Sequence, residues 1–263
     1  MIQLEQIKSF FPEQIRDNPD YRPYMLKEYI QLMTLDYLST TPYIRKITFI
    51  GGTNLRLVKG IDRFSEDLDF DCKELSEGDF IKMTDAVALF LRGYGLPVEI
   101  RDKRSHNLTA FRRNLYFPEL LFSLGLSGYK EQRFLIKLEC QDQSVSYPSV
   151  MTKIQGCGFF FPFSVPPDDI LCAMKLSALL SRSKGRDFYD AMYLLAQTSP
   201  NYDYLSQKQN IHNWAELKTS LLQVCENVDL NQKSKDFEHL LFPNSHSNRI
   251  LHFPDFIQSL SYK

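Results

Sequence analysis

The sequence has few cysteines, no long apolar run, almost no net charge and no internal repeat, and each shortage removes a class of function. Its five cysteines, Cys72, Cys140, Cys157, Cys172 and Cys225, are odd in number and form no Cys-x-x-Cys pair. That argues against a disulfide framework or a thiolate zinc site and for reduced thiols in a cytoplasmic protein. The histidines show no metal-ligand spacing either. A formal net charge of −1 supplies no global attraction to nucleic acid or membrane, so any such contact has to be local. No apolar stretch reaches membrane length. The opening Met1-Ile2-Gln3-Leu4-Glu5-Gln6-Ile7-Lys8 is amphipathic, so no signal peptide and no membrane partner are expected.

What is present is ample core material. Of 263 residues, 43% are hydrophobic and 13% aromatic, enough for one domain or two closely packed ones. The most informative stretch is residues 45–72. Ile47 to Ile50 reads as a buried strand that stops at Gly51-Gly52, and Thr53 can cap a helix through Leu55, Leu57 and Val58. Glycines between a strand and a helix let the backbone approach a ligand and aim free amides at an anion, which suits a phosphate. Asp67, Asp69 and Asp71 then alternate with Leu68, Phe70 and Cys72, which puts the carboxylates on one face of a strand. Carboxylates so spaced repel one another unless a hard divalent cation sits between them. A calcium loop would need a glycine at the sixth place and a closing Glu, and both are missing.

The flanking chain alternates helix and strand. Met25, Tyr29, Leu32, Met33, Leu35 and Leu38 form a helical stripe suited to packing on the sheet. A helix is expected over Phe80 to Tyr94 and a strand over Pro97 to Asp102. Lys103, Arg104, Arg112 and Arg113 interleave with Phe111, Tyr116, Phe117 and Phe122, readable as a nucleic-acid surface or as a hairpin with a solvated basic face. Phe134 to Cys140 is a strand in which Lys137 and Glu139 share a face. Asp168 and Asp169 open a helix whose polar face presents Lys175, expected to point into a cleft or solvent. A basic link, Ser181 to Arg186, feeds a second helix opening with Asp187, and the chain from about residue 201 is mainly helical.

Two stretches resemble a known family. Gly51-Gly52-Thr53 with Leu55-Arg56, followed by Arg63-x-Ser65-x-Asp67-x-Asp69, looks like the signature of the AbiEii-type nucleotidyltransferases. These are toxin components of bacterial abortive-infection and toxin–antitoxin systems, related to the MenT toxins and part of the DNA polymerase β-like superfamily. Ala173 to Asp190 is the second such stretch. The resemblance implies an α/β fold, a polymerase β-like mixed sheet with helices on one side. Residues 1–166 would form the nucleotidyltransferase domain, and a helical domain, 167–263, would complete the active site.

The implied reaction moves a nucleoside monophosphate from an NTP to an RNA acceptor, by resemblance the 3′ end of tRNA, and a cognate antitoxin is implied as partner. Asp67 and Asp69 would hold two Mg²⁺ ions. Glu139, from a neighbouring strand, is the candidate third carboxylate; the alternative is an ordinary edge-strand Lys/Glu pair. Asp71 competes for that role, but it lies about 6.6 Å further along the strand, whereas a neighbouring strand is about 4.8 Å away. Gly51, Gly52, Thr53 and Ser65 would contact the phosphates, with Arg63, Lys175 and Arg186 adding charge. Lys175 suits a triphosphate as a compact point charge whatever the family. Asp187 is implied as functional and also suits a helix cap. Nucleotidylation of a protein, and nucleotide binding without turnover, remain open as other functions.

Overall fold

The alternation after Gly52 is realised as β2 (Leu68–Cys72), whose Leu68, Phe70 and Cys72 are buried. In the computed structural model, which describes residues 3–101 and 110–261, β2 belongs to a five-stranded sheet. Its partners are β1 (Ile47–Ile50), β3 (Glu99–Ile100), β4 (Phe111–Tyr116) and β5 (Leu135–Gln141), in the order β1-β2-β5-β4-β3. β2 runs parallel to β5 and antiparallel to β1, and β4 is antiparallel to both β5 and β3. The fold is thus the expected mixed α/β sheet. β5 lies inside it, which removes the edge-strand reading of Lys137 and Glu139.

The chain forms two compact units. The first takes the described residues of Met1–Gly60, Phe64–Ser144 and Ser149–Val165. One face of its sheet is apolar, Arg113 excepted, because nearly every second strand residue is. Phe49 and Phe70 there meet Phe163 at ring-centroid distances of 6.0 and 6.1 Å. Phe163 belongs to a hairpin, β6 (Val150–Gly156) with β7 (Phe159–Val165). Phe80 of the Glu77–Gly93 helix stacks on Phe111, 5.7 Å between centroids, and Tyr37 of the Arg22–Ser39 helix stacks on Phe90 at 4.3 Å. Each fully buried aromatic or leucine contributes about 1.5–3 kcal/mol, so this layer anchors the sheet.

Several members of the basic and aromatic run after β3 are engaged within the fold. Arg113 turns to the helix-covered face and donates to the Ile81 carbonyl, Thr84 Oγ1 and Asp85 Oδ1. Phe117 is buried edge-to-face on Phe134, and Arg112 is paired with Glu139. Lys103 and Arg104 lie outside the described residues.

The second unit takes Ile61–Arg63, Val145–Pro148 and Pro166–Lys263, of which the described part ends at residue 261. Helices Asp168–Arg182, Gly185–Leu195, Tyr202–Gln209 and Trp214–Glu226 bury Leu171, Leu176, Phe188, Leu205, Leu217 and Leu221. A Cβ on Gly185 would overlap the Lys233 carbonyl oxygen and stand 2.8 Å from the Phe237 ring, so only glycine lets that helix start so close to its neighbour. Among the described residues no helix is long and apolar enough to cross a membrane.

Candidate active site

At the end of β1 the chain turns directly into a helix. Gly51 takes φ +83°, the helix spans Gly51–Asn54, and a wider π turn, Leu55–Lys59, continues it. Thr53 is therefore not the cap expected from sequence, a place held by Ile50. It is fully buried, and its hydroxyl donates to the Asp67 carbonyl. That bond ties the start of the helix to the residue before β2.

Other bonds hold the same segment. Asn54 Nδ2 donates to the Phe49 carbonyl at 2.7 Å, Gln31 Nε2 to the Ser65 carbonyl at 3.1 Å, and Lys27 Nζ to Glu66 at 2.9 Å. Ser65 is buried and Gly52 half-buried. Gly51 lies against Asp69: an added Cβ would overlap its carboxylate and stand 2.8 Å from its Cβ. The glycine is needed both for its left-handed backbone and for this approach.

The open face of the sheet carries the charges. Asp69 sits directly opposite Glu139 in the parallel β2–β5 register, and Arg112 sits opposite Glu139 from β4. Arg112 grips Glu139 with Nε at 2.6 Å and Nη2 at 3.1 Å. Lys137 Nζ lies 2.8 Å from Asp67 Oδ2 and 3.6 Å from Glu139 Oε2. Burial works against its charge, but the bond to Asp67 and the fields of Asp67, Glu139 and Asp69 outweigh it and raise the Lys137 pKa. Asp71, by contrast, is buried, and its Oδ1 accepts the Gln143 amide at 2.9 Å.

Among the described residues no three His, Cys, Asp or Glu side chains form a preformed metal-binding group. Asp67 and Asp69 nevertheless fit a divalent cation by donor chemistry: hard carboxylate oxygens on one face, where Lys137 already places positive charge on Asp67. Glu139 is engaged by Arg112.

In the second unit a different carboxylate is central. Asp190, with no exposed surface, accepts Arg63 Nε at 2.8 Å and Nη2 at 2.7 Å, and Lys175 Nζ at 2.9 Å. Burial pushes its pKa up, but the charges of Arg63 and Lys175 and their bonds more than offset this and bring it down to about 2. Arg63, expected at the phosphates, is thus 1% exposed and committed to Asp190. Lys175, expected to point into a cleft or solvent, is likewise buried against Asp190.

Asp187 is also fully buried. It accepts Arg182 Nε at 3.0 Å and Nη2 at 2.8 Å, and the Lys184 amide at 3.1 Å, so it serves as a helix-start cap, and its carboxylate is occupied by these bonds. Arg186 is half-buried on the same turn. Beside Arg63, Asp62 accepts the Tyr189 hydroxyl and meets His246 Nδ1, both at 2.7 Å. Burial raises its pKa, yet those two bonds and Arg249 carry it below the usual carboxylate range. Sequence reading did not single out Asp190 or Lys137, and it placed Arg112 in a basic surface rather than beside Glu139. For Lys137 a signal existed, since it shares a strand face with Glu139.

The family profile described as Nucleotidyl transferase AbiEii toxin, Type IV TA system, matches residues 34–238. Among solved structures, the nucleotidyltransferase toxin MenT4 from Mycobacterium tuberculosis is similar with a TM-score of 0.61 and 17% identity, covering 99% of this chain and 91% of that one. JHP933 from Helicobacter pylori is similar with a TM-score of 0.55 and 18% identity, covering 89% of this chain and 90% of that one. At such identities the likeness is one of fold. No curated protein matches the chain. With the profile spanning most of the sequence and the Gly-Gly and Asp-x-Asp elements meeting at one end of the sheet, this chain belongs to the AbiEii family of nucleotidyltransferase toxins.

Proposed function

We propose that this nucleotidyltransferase uses Mg²⁺ to transfer a nucleoside monophosphate from an NTP to an RNA acceptor, the 3′ end of tRNA, and that a cognate antitoxin restrains it in the cytoplasm. The observation that supports the reading is the register that sets Asp69 beside Glu139, with Asp67 on the same face and Gly51 packed against Asp69. The acceptor hydroxyl attacks the α-phosphorus and gives its proton to solvent, a new P–O bond forms, the α–β bridge breaks and pyrophosphate leaves.

Asp67 and Asp69 would hold the metal, with Glu139 joining once released from Arg112. When bound, Mg²⁺ lowers the pKa of the attacking hydroxyl and neutralises charge on the leaving pyrophosphate. Gly51 and Gly52 bring backbone close to the phosphates, with Ser65 beside them. Thr53 and Gln31 keep Asp67 and Ser65 in place through their carbonyls. For the helical unit, we assign Lys175 to the charge of the triphosphate and Asp190 to holding it, with Arg186 as a further cation.

The test is incubation with each α-labelled NTP, Mg²⁺ and total RNA, with the labelled species then identified. Label on tRNA, lost on ribonuclease treatment and absent with Asp69→Asn, is the expected result. Label on protein would mean nucleotidylation of a polypeptide, and tight NTP binding without pyrophosphate release would mean a binding module.

A further inference from the structure

We propose that Lys137 is a built-in rival of the divalent cation at Asp67, so that its ammonium sets how tightly the site holds metal in the absence of nucleotide. The proposal rests on the assignment of Asp67 and Asp69 as cation ligands. Its basis is the contact pattern on the open sheet face. Lys137 Nζ bridges toward two carboxylates, at 2.8 Å from Asp67 and 3.6 Å from Glu139. Arg112, the other cation beside Glu139, is a planar fork locked to that carboxylate by two bonds. Lys137 instead offers a single point charge on a flexible four-carbon stem, free to swing away.

A divalent cation taking Asp67 Oδ2 must displace this ammonium or tolerate a like charge a few ångströms off. Both side chains are about one-third exposed, so solvent weakens the repulsion without abolishing it. The consequence is functional. Metal alone binds poorly, whereas metal arriving with a triphosphate brings the negative charge that can draw the ammonium off Asp67. The site would then fill with metal and nucleotide together.

The measurement is binding of Mn²⁺ alone to the full chain, with free Mn²⁺ read by electron paramagnetic resonance. Removing the rival charge in Lys137→Met and Lys137→Gln should tighten binding about tenfold. Lys137→Arg, which keeps the charge, should stay within about threefold of the parent protein. Asp69→Asn should weaken binding at least about tenfold. Unchanged or weaker affinity in both neutral variants, with the Asp69 dependence intact, overturns the rivalry and leaves the metal assignment standing. So does an arginine variant that binds as tightly as the neutral ones. Binding insensitive to Asp69→Asn as well overturns both. Circular dichroism of each variant confirms that the folded chain is being read.

Discussion

Replacing Asp190 with Asn keeps the shape of the side chain and deletes its charge, and the consequence can be worked from the geometry. Asp190 is fully buried between Arg63, itself 1% exposed, and Lys175, with three bonds of 2.7–2.9 Å. The variant removes the Asp190 charge from between two buried cations, and breaking such a buried cluster from one side costs about 3–5 kcal/mol. That is a large fraction of the roughly 5–15 kcal/mol that holds a typical domain folded. A second handle is pH. The folded pKa of about 2 lies below the usual carboxylate value, so the stabilisation is fully present above pH about 4 and is lost as pH falls towards 2. The shift corresponds to roughly 2 kcal/mol. Trp214, the single tryptophan, lies half-buried in this helical unit and supplies the signal for urea unfolding. The variant should unfold at markedly lower urea at neutral pH, and the gap to the parent should narrow as acid protonates Asp190 in the parent. A neutral-pH loss under about 1 kcal/mol, or a gap that does not change with pH, refutes this account.

Gly51→Ala should cut transfer at least about a hundredfold, because the new methyl group displaces the Asp69 carboxylate and the left-handed backbone adds about 1–2 kcal/mol of strain; near-parental turnover would show that the close approach does not matter. Glu139→Gln should slow transfer with little change in melting, whereas Asp71→Asn, which weakens the bond to the Gln143 amide, should lower stability more than rate. The reverse pattern in paired melting and transfer assays would make Asp71 the third carboxylate. Lys175→Ala should now lower both the melting temperature and the rate, since the ammonium is part of the Asp190 cluster. A parental melting curve would mean that the bond to Asp190 contributes nothing to stability.

Legibility in the sequence followed the range of the interaction. Where one element's own pattern decides the matter, the reading held: the strand, glycine and helix order at 47–59, the alternation of β2, the alternation that makes Lys137 and Glu139 face the same way, and the helices from residue 168 onward. Where the decisive contact joins residues far apart in the chain, it did not. Arg63 and Asp190 are 127 positions apart, and nothing near either one announces the other. The same holds for β6, whose Thr152 and Ile154 are set opposite Phe163 and Phe161 only by the pairing of the hairpin.

The sequence by itself therefore determined a glycine turn feeding a strand with its carboxylates on one face, because backbone freedom and strand alternation are local properties. Only the tertiary structure decided which charges are spoken for. Pairing β5 between β2 and β4 sets Glu139 against Asp69 and hands it to Arg112, and helix packing buries Asp190 so deeply that Arg63 and Lys175 must answer it. Whether a charged group meets substrate or a neighbouring side chain depends on desolvation and on partners brought in from distant segments, and neither is written within a few residues of the group itself.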